Sequence, residues 1–453
     1  MAAQAAGPTR ALAGFIVAAS AAGLPGWTLH EAKRTLINIL GIAVSATRYE
    51  PAGILTAWVR RQGGNPAARV IGTDIRTGTF NAALANGYLA HLEDYDDTHL
   101  PTILHPSAPV WPAVLAAAEE TGANGLDTLA AFALGAETAC RVAMSVYPWH
   151  YDQGWHVTGT AGLFGAVAGA GRVHGLDAAR MTHALGVGGT HASGVRELLG
   201  THGKALHPGH AASTGLQAAE LAAQGFTGPD DILGGRRGFW AILSAGGHSE
   251  EALLGGFGER WELGNNGLKP FANGIVSHPI QDGVIRLRNE HALKPGDVAA
   301  ISLGVHPLVL ELMNRPVVRT GLEGKFSFQH CAAAALVDGA GHDAQFTDAK
   351  AADPDISRIR DAVTGEVEES VAEDQARVRV HLADGRTLET FVEHAIGTPQ
   401  NPMSDAALEA KFTDLATEVF PTDQAARLLD AAWNLDRAPD VTALMRLASA
   451  QGG

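Results

Sequence analysis

Apolar residues recur at helical spacing through most of the first 250 residues. The stretch from Thr28 to Ala46, TLHEAKRTLINILGIAVSA, has one apolar face formed by Ala32, Leu36, Ile39, Leu40 and Ala43. Glu31 follows Thr28 by three residues, which is the spacing of a capping box and predicts that the helix begins at Thr28. This is the most regular helical pattern in the chain.

Three further segments show the same periodicity. GLDTLAAFALGAETACRVAMSVYP (125–148) offers Asp127 as a cap, and GLDAARMTHALGVGG (175–189) repeats the Gly-Leu-Asp start. A third helix is predicted from Gly209 to Gln224, before Gly225. The abundance of Ala and Gly favours close helix packing. These patterns predict an all-α bundle.

The pattern changes near Lys269. Residues 298–307 have the composition of a strand, and residues 375–392 alternate on either side of an Asp384-Gly385 turn, which predicts a hairpin. Helical patterns return after Pro399, and their apolar faces need burial. The sequence therefore predicts a mainly α protein. A large all-α helical-bundle domain is built from both termini (1–268 and 399–453), and a smaller α+β domain spans 269–398.

Charge and cysteine content exclude several classes. A net charge of −15 disfavours nucleic acid as a partner, because such binding relies on a basic surface. The two cysteines are too few for a disulfide framework or a cysteine-ligated iron–sulfur cluster. No uncharged apolar run reaches the roughly 18 to 20 residues of a membrane span. We expect a cytoplasmic protein that does not enter membranes.

Acids and histidines crowd together in HLEDYDDTHLPTILHPS (91–107). This stretch, and His207 with His210 in HPGH, raise the question of a metal site, but no specific ligand motif such as H-E-x-x-H is present. We therefore predict no metal, and interpret His207 and His210 as capping or surface residues.

Several histidines and one lysine lie beside glycine, proline or a predicted helix start. They are His105, His156, Lys204 and His278. Imidazoles exchange protons near neutral pH, a lysine carries a fixed positive charge, and a helix N-terminus attracts anions. Together they suit a small polycarboxylate, although for any one histidine alone we favour the interpretation as a hydrogen-bonded loop residue.

Six sequence blocks, in order along the chain, resemble the MmgE/PrpD family, which includes 2-methylcitrate dehydratase, cis-aconitate decarboxylase and iminodisuccinate epimerase. The blocks are AALANGYLAHLEDYDDTHLPTILHPSAPVWPAVLAAAE, GWHVTGTAG, GTHGKALHPGHAASTGLQAAELAAQGFTGPDDIL, KPFANGIVSHPIQD, GKFSFQHCAAAALVDG and NPMSDAALEAKF. The resemblance implies a cofactor-free homodimer whose α+β domain acts as a lid. It also implies a set of site residues: Asp94, Thr98, His105, His156, Lys204 and His278.

One feature departs from the family pattern, and a second distinguishes between branches of the family. His330 in FSFQH stands where decarboxylase-like members carry a tyrosine, which places an imidazole where a phenol of high pKa is usual. The LHPGH segment is closer to the decarboxylase and epimerase branches than to the dehydratases.

The resemblance implies a cofactor-independent acid/base lyase, a dehydratase or decarboxylase acting through a carbanion next to a carboxylate. An epimerase remains an alternative, as do a metal-dependent hydrolase and a non-catalytic binding protein.

We expect Lys204 and His278, with His330, to bind carboxylates, and His105 and His156 to exchange protons. Asp94 and Thr98 would set the hydrogen bonding of His105. Neighbouring side chains are interpreted as supporting residues: Asp96 and Asp97 as helix caps or amide acceptors, and His91, Glu93 and His99 as structural or solvent-facing.

Overall fold

The apolar helical faces of the first 250 residues pack into one unit together with the C-terminal helices. The computed structural model describes residues 7–450, and these divide into two units. The helical unit contains the described residues of Met1–Leu92, Asp96–Asn266 and Ser404–Gly453, and the α+β unit contains Glu93–Tyr95 and Gly267–Met403. The protein is thus mainly α with a small sheet-containing unit, as predicted, and the grouping of Glu93–Tyr95 was not foreseen.

The helical unit has fifteen α-helices in the described residues. In chain order they are α1 (Pro8–Ala18), α2 (Gly26–Ala46), α3 (Glu50–Gln62), α4 (Thr79–His91), α5 (Ser107–Thr121), α6 (Gly125–Val146), α7 (Trp149–Asp152), α8 (Val157–Val173), α9 (Ala178–Gly189), α10 (Leu206–Ala223), α11 (Phe239–Leu243), α12 (Glu250–Leu254) and, after the α+β unit, α19 (Asp405–Thr417), α20 (Thr422–Trp433) and α21 (Thr442–Leu447). Three two-residue strands, β1 (Ala68–Arg69), β2 (Arg76–Thr77) and β3 (Thr98–His99), lie between helices, and β4 (Asn266–Gly267) lies at the end of this unit.

The α+β unit holds the remaining elements. They are α13 (His278–Glu290), β5 (Val298–Val305), α14 (Pro307–Met313), α15 (Gly321–Gly324), α16 (Phe328–Asp338), α17 (Asp348–Ala351), α18 (Pro354–Arg360), β6 (Val363–Val367), β7 (Ala376–Leu382) and β8 (Thr387–Val392). The sheet order is β6-β5-β7-β8, with β5 and β6 parallel and the other neighbours antiparallel. The predicted hairpin is β7–β8, and Gly385 adopts a φ of 90° in its turn.

Two predicted helix caps were wrong. Helix α2 begins at Gly26, because Pro25 precedes it and the Thr28 hydroxyl donates to the Pro25 carbonyl (2.7 Å). Thr28 therefore lies inside the first turn. At α6 the cap is Asn124, whose side-chain oxygen accepts from the Asp127 amide (2.9 Å). The cap of α9 is Asp177, which accepts from the Arg180 amide (2.8 Å).

The C-terminal helix α19 packs against α2, as the need to bury its apolar face predicted. A Cβ atom at Gly41 would lie 3.3 Å from the Phe412 Cα, so a larger residue there would separate the two helices. The Lys411 Nζ donates to the buried Asn38 Oδ1 (2.7 Å). Helices 373 residues apart in sequence are thus joined by packing and by a buried hydrogen bond.

Among the described residues, one helix, α6, is long and apolar enough to cross a membrane by length and composition. Its apolar window is 94% buried within the protein, as expected for a core helix. It also carries a buried ion pair in which Arg141 Nε donates to Glu137 Oε1 (2.6 Å). The Arg141 guanidinium donates to the carbonyls of Leu253, Gly255, Gly256 and Arg260 as well. Arg141 therefore fixes the 253–260 loop to the core.

Replacing Arg141 by Met should destabilise the protein by about 3 to 5 kcal/mol, because Glu137 would remain buried without its cation and four carbonyls would lose a donor. The control is Arg427→Met, which removes an i, i+4 partner of Asp423 on an exposed helix surface. That change should alter the free energy of unfolding by less than about 0.5 kcal/mol. Urea denaturation of both variants measures the difference, and equal effects would contradict the role given to Arg141.

Candidate active site

Three helices of the helical unit begin at one place. His105 lies two residues before α5, His156 is the N-cap of α8, and His207 is in the first turn of α10. The His105 amide donates to Thr158 Oγ1 (3.1 Å), which joins the starts of α5 and α8. The Nδ1 atoms of His156 and His207 are 2.8 Å apart, which joins α8 and α10. Helix N-termini carry partial positive charge, so this end of the bundle favours anions.

The His105 ring is held through its Nδ1 atom. Nδ1 lies 2.8 Å from the Asp97 carbonyl oxygen and 3.3 Å from Thr98 Oγ1. A carbonyl can only accept, so Nδ1 carries the proton and Nε2 is the basic nitrogen of the neutral ring. The Asp96 carboxylate, 3.6 Å from Nδ1, is placed to stabilise the ring when it becomes charged. Such an imidazole can take up and release a proton at Nε2.

The Asp97 carboxylate fixes the segment that carries His105. It accepts from the Ser107 amide (3.3 Å), the Ser107 hydroxyl (2.5 Å) and Asn266 Nδ2 (2.6 Å). Burial raises the pKa of Asp97 to about 7, with a further contribution from Asp96, while the hydrogen bonds from Ser107 and Asn266 act in the opposite direction. Asp97 bonds a backbone amide as expected from the sequence.

Asp96 differs from its neighbour. Its Oδ2 atom is 2.8 Å from His91 Nδ1, so it pairs with imidazoles and does not cap a helix. The His91 ring lies edge-on to His105 with centroids 4.7 Å apart. The ligand atoms of His91, Asp96 and His105 lie within 4.8 Å of one another, a spacing that could hold a metal ion. The expectation that no metal binds here stays a prediction.

His91, Glu93 and His99 are all buried, so the solvent-facing alternative was wrong for each. His91 is the last residue of α4, most of whose residues are buried. His99 Nε2 lies 3.4 Å from Glu262 Oε2. Burial lowers the pKa of His99, although Glu262 acts against this.

His156 and His207 form a hydrogen-bonded pair, and His207 is therefore not the capping or surface residue that the sequence indicated. Burial lowers the pKa of His156 well below its ordinary value, and Lys204 lowers it further. Burial, with the charges of His91 and Lys204, lowers the pKa of His207 to about 4. Both rings are neutral at pH 7, and one Nδ1 donates to the other.

Lys204 lies in the 3₁₀ turn His202–Ala205 directly before α10, and it is buried. Its charge contributes to the lowered pKa of both imidazoles, and it precedes His207 by three residues. The helical unit thus brings together four residues predicted from the sequence, Thr98, His105, His156 and Lys204. It adds three that the sequence reasoning did not assign to the site: His91, Asp96 and His207.

The other three predicted site residues belong to the α+β unit. Asp94 has a φ of 54°, and its carboxylate Oδ1 accepts from the fully buried Lys269 Nζ (2.9 Å). His278 is the first residue of α13 and lies edge-on to Phe271. His330 is fully buried, and its Nε2 lies 3.0 Å from the Gln345 carbonyl, to which it donates. Burial lowers the pKa of His330, so its ring is neutral.

Two buried lysines of this unit were not identified from the sequence. Lys269 also donates to the Asp94 carbonyl (3.0 Å), and Lys325 donates to the Glu93 carbonyl (2.6 Å) and to Asp343 Oδ1 (2.8 Å). Lys269 opens the KPFANG block, but a lone lysine in an apolar sequence gives no sign of its distant partner. Together the two ammonium groups hold the Glu93–Tyr95 segment in place.

The pKa of Asp97 gives stability a characteristic pH dependence. Its folded pKa of about 7 exceeds the unfolded value near 3.9, so this carboxyl stabilises the fold at low pH and loses that contribution as the pH rises through 7. Relative to Asp97→Asn, the wild type should lose on the order of 2 kcal/mol between pH 5 and pH 8. Urea denaturation at both pH values measures this.

The control for this experiment is Asp384→Asn in the exposed hairpin turn. Arg386 lowers the pKa of Asp384, so that carboxyl is ionised in both states across pH 5 to 8 and should add no slope. Parallel pH dependence of wild type and Asp97→Asn would contradict the raised pKa.

Comparison with known proteins identifies the family of this chain. The model of the MmgE/PrpD N-terminal domain matches residues 10–252, and that of the MmgE/PrpD C-terminal domain matches residues 271–437. The chain is 28% identical to a cis-aconitate decarboxylase of Homo sapiens, over 92% of this chain and 90% of that protein. It is 27% identical to the Mus musculus protein of the same name, over 97% and 93% of the two chains.

A cis-aconitate decarboxylase of Aspergillus terreus is 28% identical over 84% of this chain and 83% of its own length. The two family models together cover most of the chain, including the segments that carry His105, His156, Lys204 and His278. The chain belongs to the MmgE/PrpD family.

Proposed function

We propose that this protein is a lyase that decarboxylates cis-aconitate, or a closely similar polycarboxylate, by acid/base chemistry without a cofactor. The observation that carries the proposal is the meeting of three helix N-termini at His105, His156 and His207, with the buried Lys204 in the turn directly before α10. This end of the bundle offers positive potential and proton-exchanging groups together. The relatives named as cis-aconitate decarboxylases support the choice of substrate.

Substrate carboxylates would bind where the positive charge is concentrated. Lys204 is buried, so a carboxylate that pairs with it gains more from the interaction than it would in water. The partial positive charge at the N-termini of α5 and α8 adds to this attraction. We propose His278 as a second carboxylate ligand, as the family resemblance implies.

Decarboxylation breaks the bond between a carboxylate carbon and its neighbour, and the electron pair stays on the substrate. The resulting carbanion is stabilised by conjugation with the double bond and a remaining carboxylate. A proton must then reach a substrate carbon, and His105 Nε2 is the proposed donor. Asp96 Oδ1, 3.6 Å from Nδ1, stabilises the charged form of the ring before transfer.

His156 has a different proposed role because its pKa is low. In the free protein it is neutral, with burial and Lys204 as the main causes. A bound carboxylate would act in the opposite direction to Lys204, so substrate binding would favour protonation of His156. Asp94 and His330 remain proposed site residues by the family match.

The family also supports finer proposals about assembly and location. We infer a cytoplasmic homodimer that binds neither nucleic acid nor membranes, in keeping with the net charge of −15. Light scattering coupled to size-exclusion chromatography would report the mass of the assembly.

Incubation with cis-aconitate in D₂O should yield a decarboxylated product that carries one deuterium at carbon, detected by proton NMR and by release of CO₂. The same experiment with 2-methylcitrate and iminodisuccinate separates the related reactions, because dehydration creates a vinyl signal without CO₂ and epimerisation only exchanges the α-proton. If 2-methylcitrate alone were turned over, the protein would be a dehydratase and the proposed decarboxylation would be wrong. No change in any of these acids would overturn the proposal.

His105→Ala should lower kcat by about 10² to 10⁴-fold, the range for loss of a general acid or base. Lys204→Ala should abolish measurable turnover, chiefly by weakening carboxylate binding. The exposed His291→Ala and Lys294→Ala are matched controls and should retain wild-type kinetics. Circular dichroism checks that each variant is folded, and near wild-type kcat in either site variant would refute its assignment.

A further inference from the structure

The three helices that begin at the candidate active site also end together. Glu120 is in the last turn of α5, His174 is the C-cap of α8, and Glu220 is in the last turn of α10. One ligand atom from each of these side chains lies within 4.8 Å of the other two. The helices are therefore parallel neighbours that share both ends. At 1.5 Å per residue, their lengths of 15 to 18 residues place this second cluster roughly 23 to 27 Å from the first.

The electrostatics of this end are opposite to those of the active-site end. Helix C-termini carry partial negative charge, and three of them meet here beside two carboxylates. Burial raises the pKa of Glu220, and the Glu120 charge raises it further. A cation would relieve this concentration of negative charge.

The imidazole of His174 is suited to bind that cation. Burial lowers its pKa, so the ring is neutral and has a lone pair available for a metal. Its Nε2 atom is buried and has no hydrogen-bond partner among residues 7–450. Leaving such an atom unsatisfied is unfavourable, and a bound ion would satisfy it. Glu220 is already oriented, because Thr79 Oγ1 donates to its Oε1 atom (2.7 Å).

We propose that Glu120, His174 and Glu220 form a binding site for a divalent metal ion of the Zn²⁺ class. One imidazole and two carboxylates are a ligand set that Zn²⁺ accepts, with water completing a tetrahedral shell. Metal–ligand bonds of about 2.0 to 2.2 Å bring the ligand atoms close around the ion, and the exposed Glu120 side chain can move to reach it. The ion fastens the ends of the three helices whose beginnings form the active site. Its role is structural, and turnover does not require it.

The test uses the full-length protein after dialysis against a chelator, with isothermal titration of ZnCl₂ and thermal unfolding with and without Zn²⁺. The wild type should bind Zn²⁺ saturably and show a raised Tm. His174→Ala and Glu220→Gln should weaken this binding at least tenfold and lose the rise in Tm. Glu120→Gln, a change at an exposed position, should weaken it as well and keeps the test valid if a buried variant fails to fold.

Two further variants separate this site from the histidines at the other end. His105→Ala removes a candidate ligand of the His91, Asp96 and His105 group and should leave the Zn²⁺ affinity unchanged. Glu259→Gln, on an exposed loop, is the matched surface control and should also have no effect. Co²⁺ gives a second readout, because an imidazole–carboxylate site produces visible absorption bands that His174→Ala should abolish.

Equal Zn²⁺ affinity in the wild type, His174→Ala and Glu120→Gln would overturn the proposal, as would the absence of saturable binding. Loss of binding in His105→Ala alone would move the ion to the active-site end and overturn it too. The outcome does not depend on the proposed lyase activity, because binding and Tm are measured without substrate.

Discussion

One buried carboxyl group, that of Asp97, determines how the candidate active-site end of the helical unit is arranged. Its side chain binds the amide and hydroxyl of Ser107 at the start of α5, and its own carbonyl accepts from His105 Nδ1. A single residue thus sets both where α5 begins and which nitrogen of His105 carries a proton. Asn266 also donates to this carboxylate, so the loop before α5 is joined to the last residue of the segment Asp96–Asn266. The position and tautomer of His105 follow from these bonds.

Helices α5, α8 and α10 run parallel to one another, which makes the two ends of this group electrostatically different. Helices in antiparallel contact cancel one another's dipoles, whereas these three add theirs, so one end attracts anions and the other attracts cations. The neighbouring helix α6 packs closely against α8. A Cβ atom at Gly135 would lie 2.7 Å from the Gly165 carbonyl, so the antiparallel α6 can approach α8 only because both positions are glycine. Glycine at both positions therefore allows the close packing of α6 on α8.

Local patterns predicted these elements well, because helices α2, α6, α9 and α10 and the β7–β8 hairpin are encoded by residues close in sequence. Helix caps were less predictable, since Asn124 and Asp127 are equally suitable and only the geometry of the turn selects Asn124. The family blocks located His105, His156 and Lys204. They could not reveal that His207 bonds His156 or that Lys269 bonds Asp94, because those contacts join segments 51 and 175 residues apart. Asp96 and Asp97 are neighbours in sequence, yet the fold alone gives one an imidazole partner and the other a helix start.

The joining of α2 to α19 has a consequence for how the chain is made. Asn38 is buried with Lys411 as its partner, and Gly41 packs on Phe412, so part of the first long helix is completed by residues near the end of the chain. At synthesis rates of about 5 to 20 residues per second, α2 waits roughly 20 to 75 seconds on the ribosome for α19. During that interval an apolar surface of α2 is exposed, and the α+β unit, whose residues are almost continuous in sequence, can fold first. The helical unit, although it begins the chain, is the last to be finished.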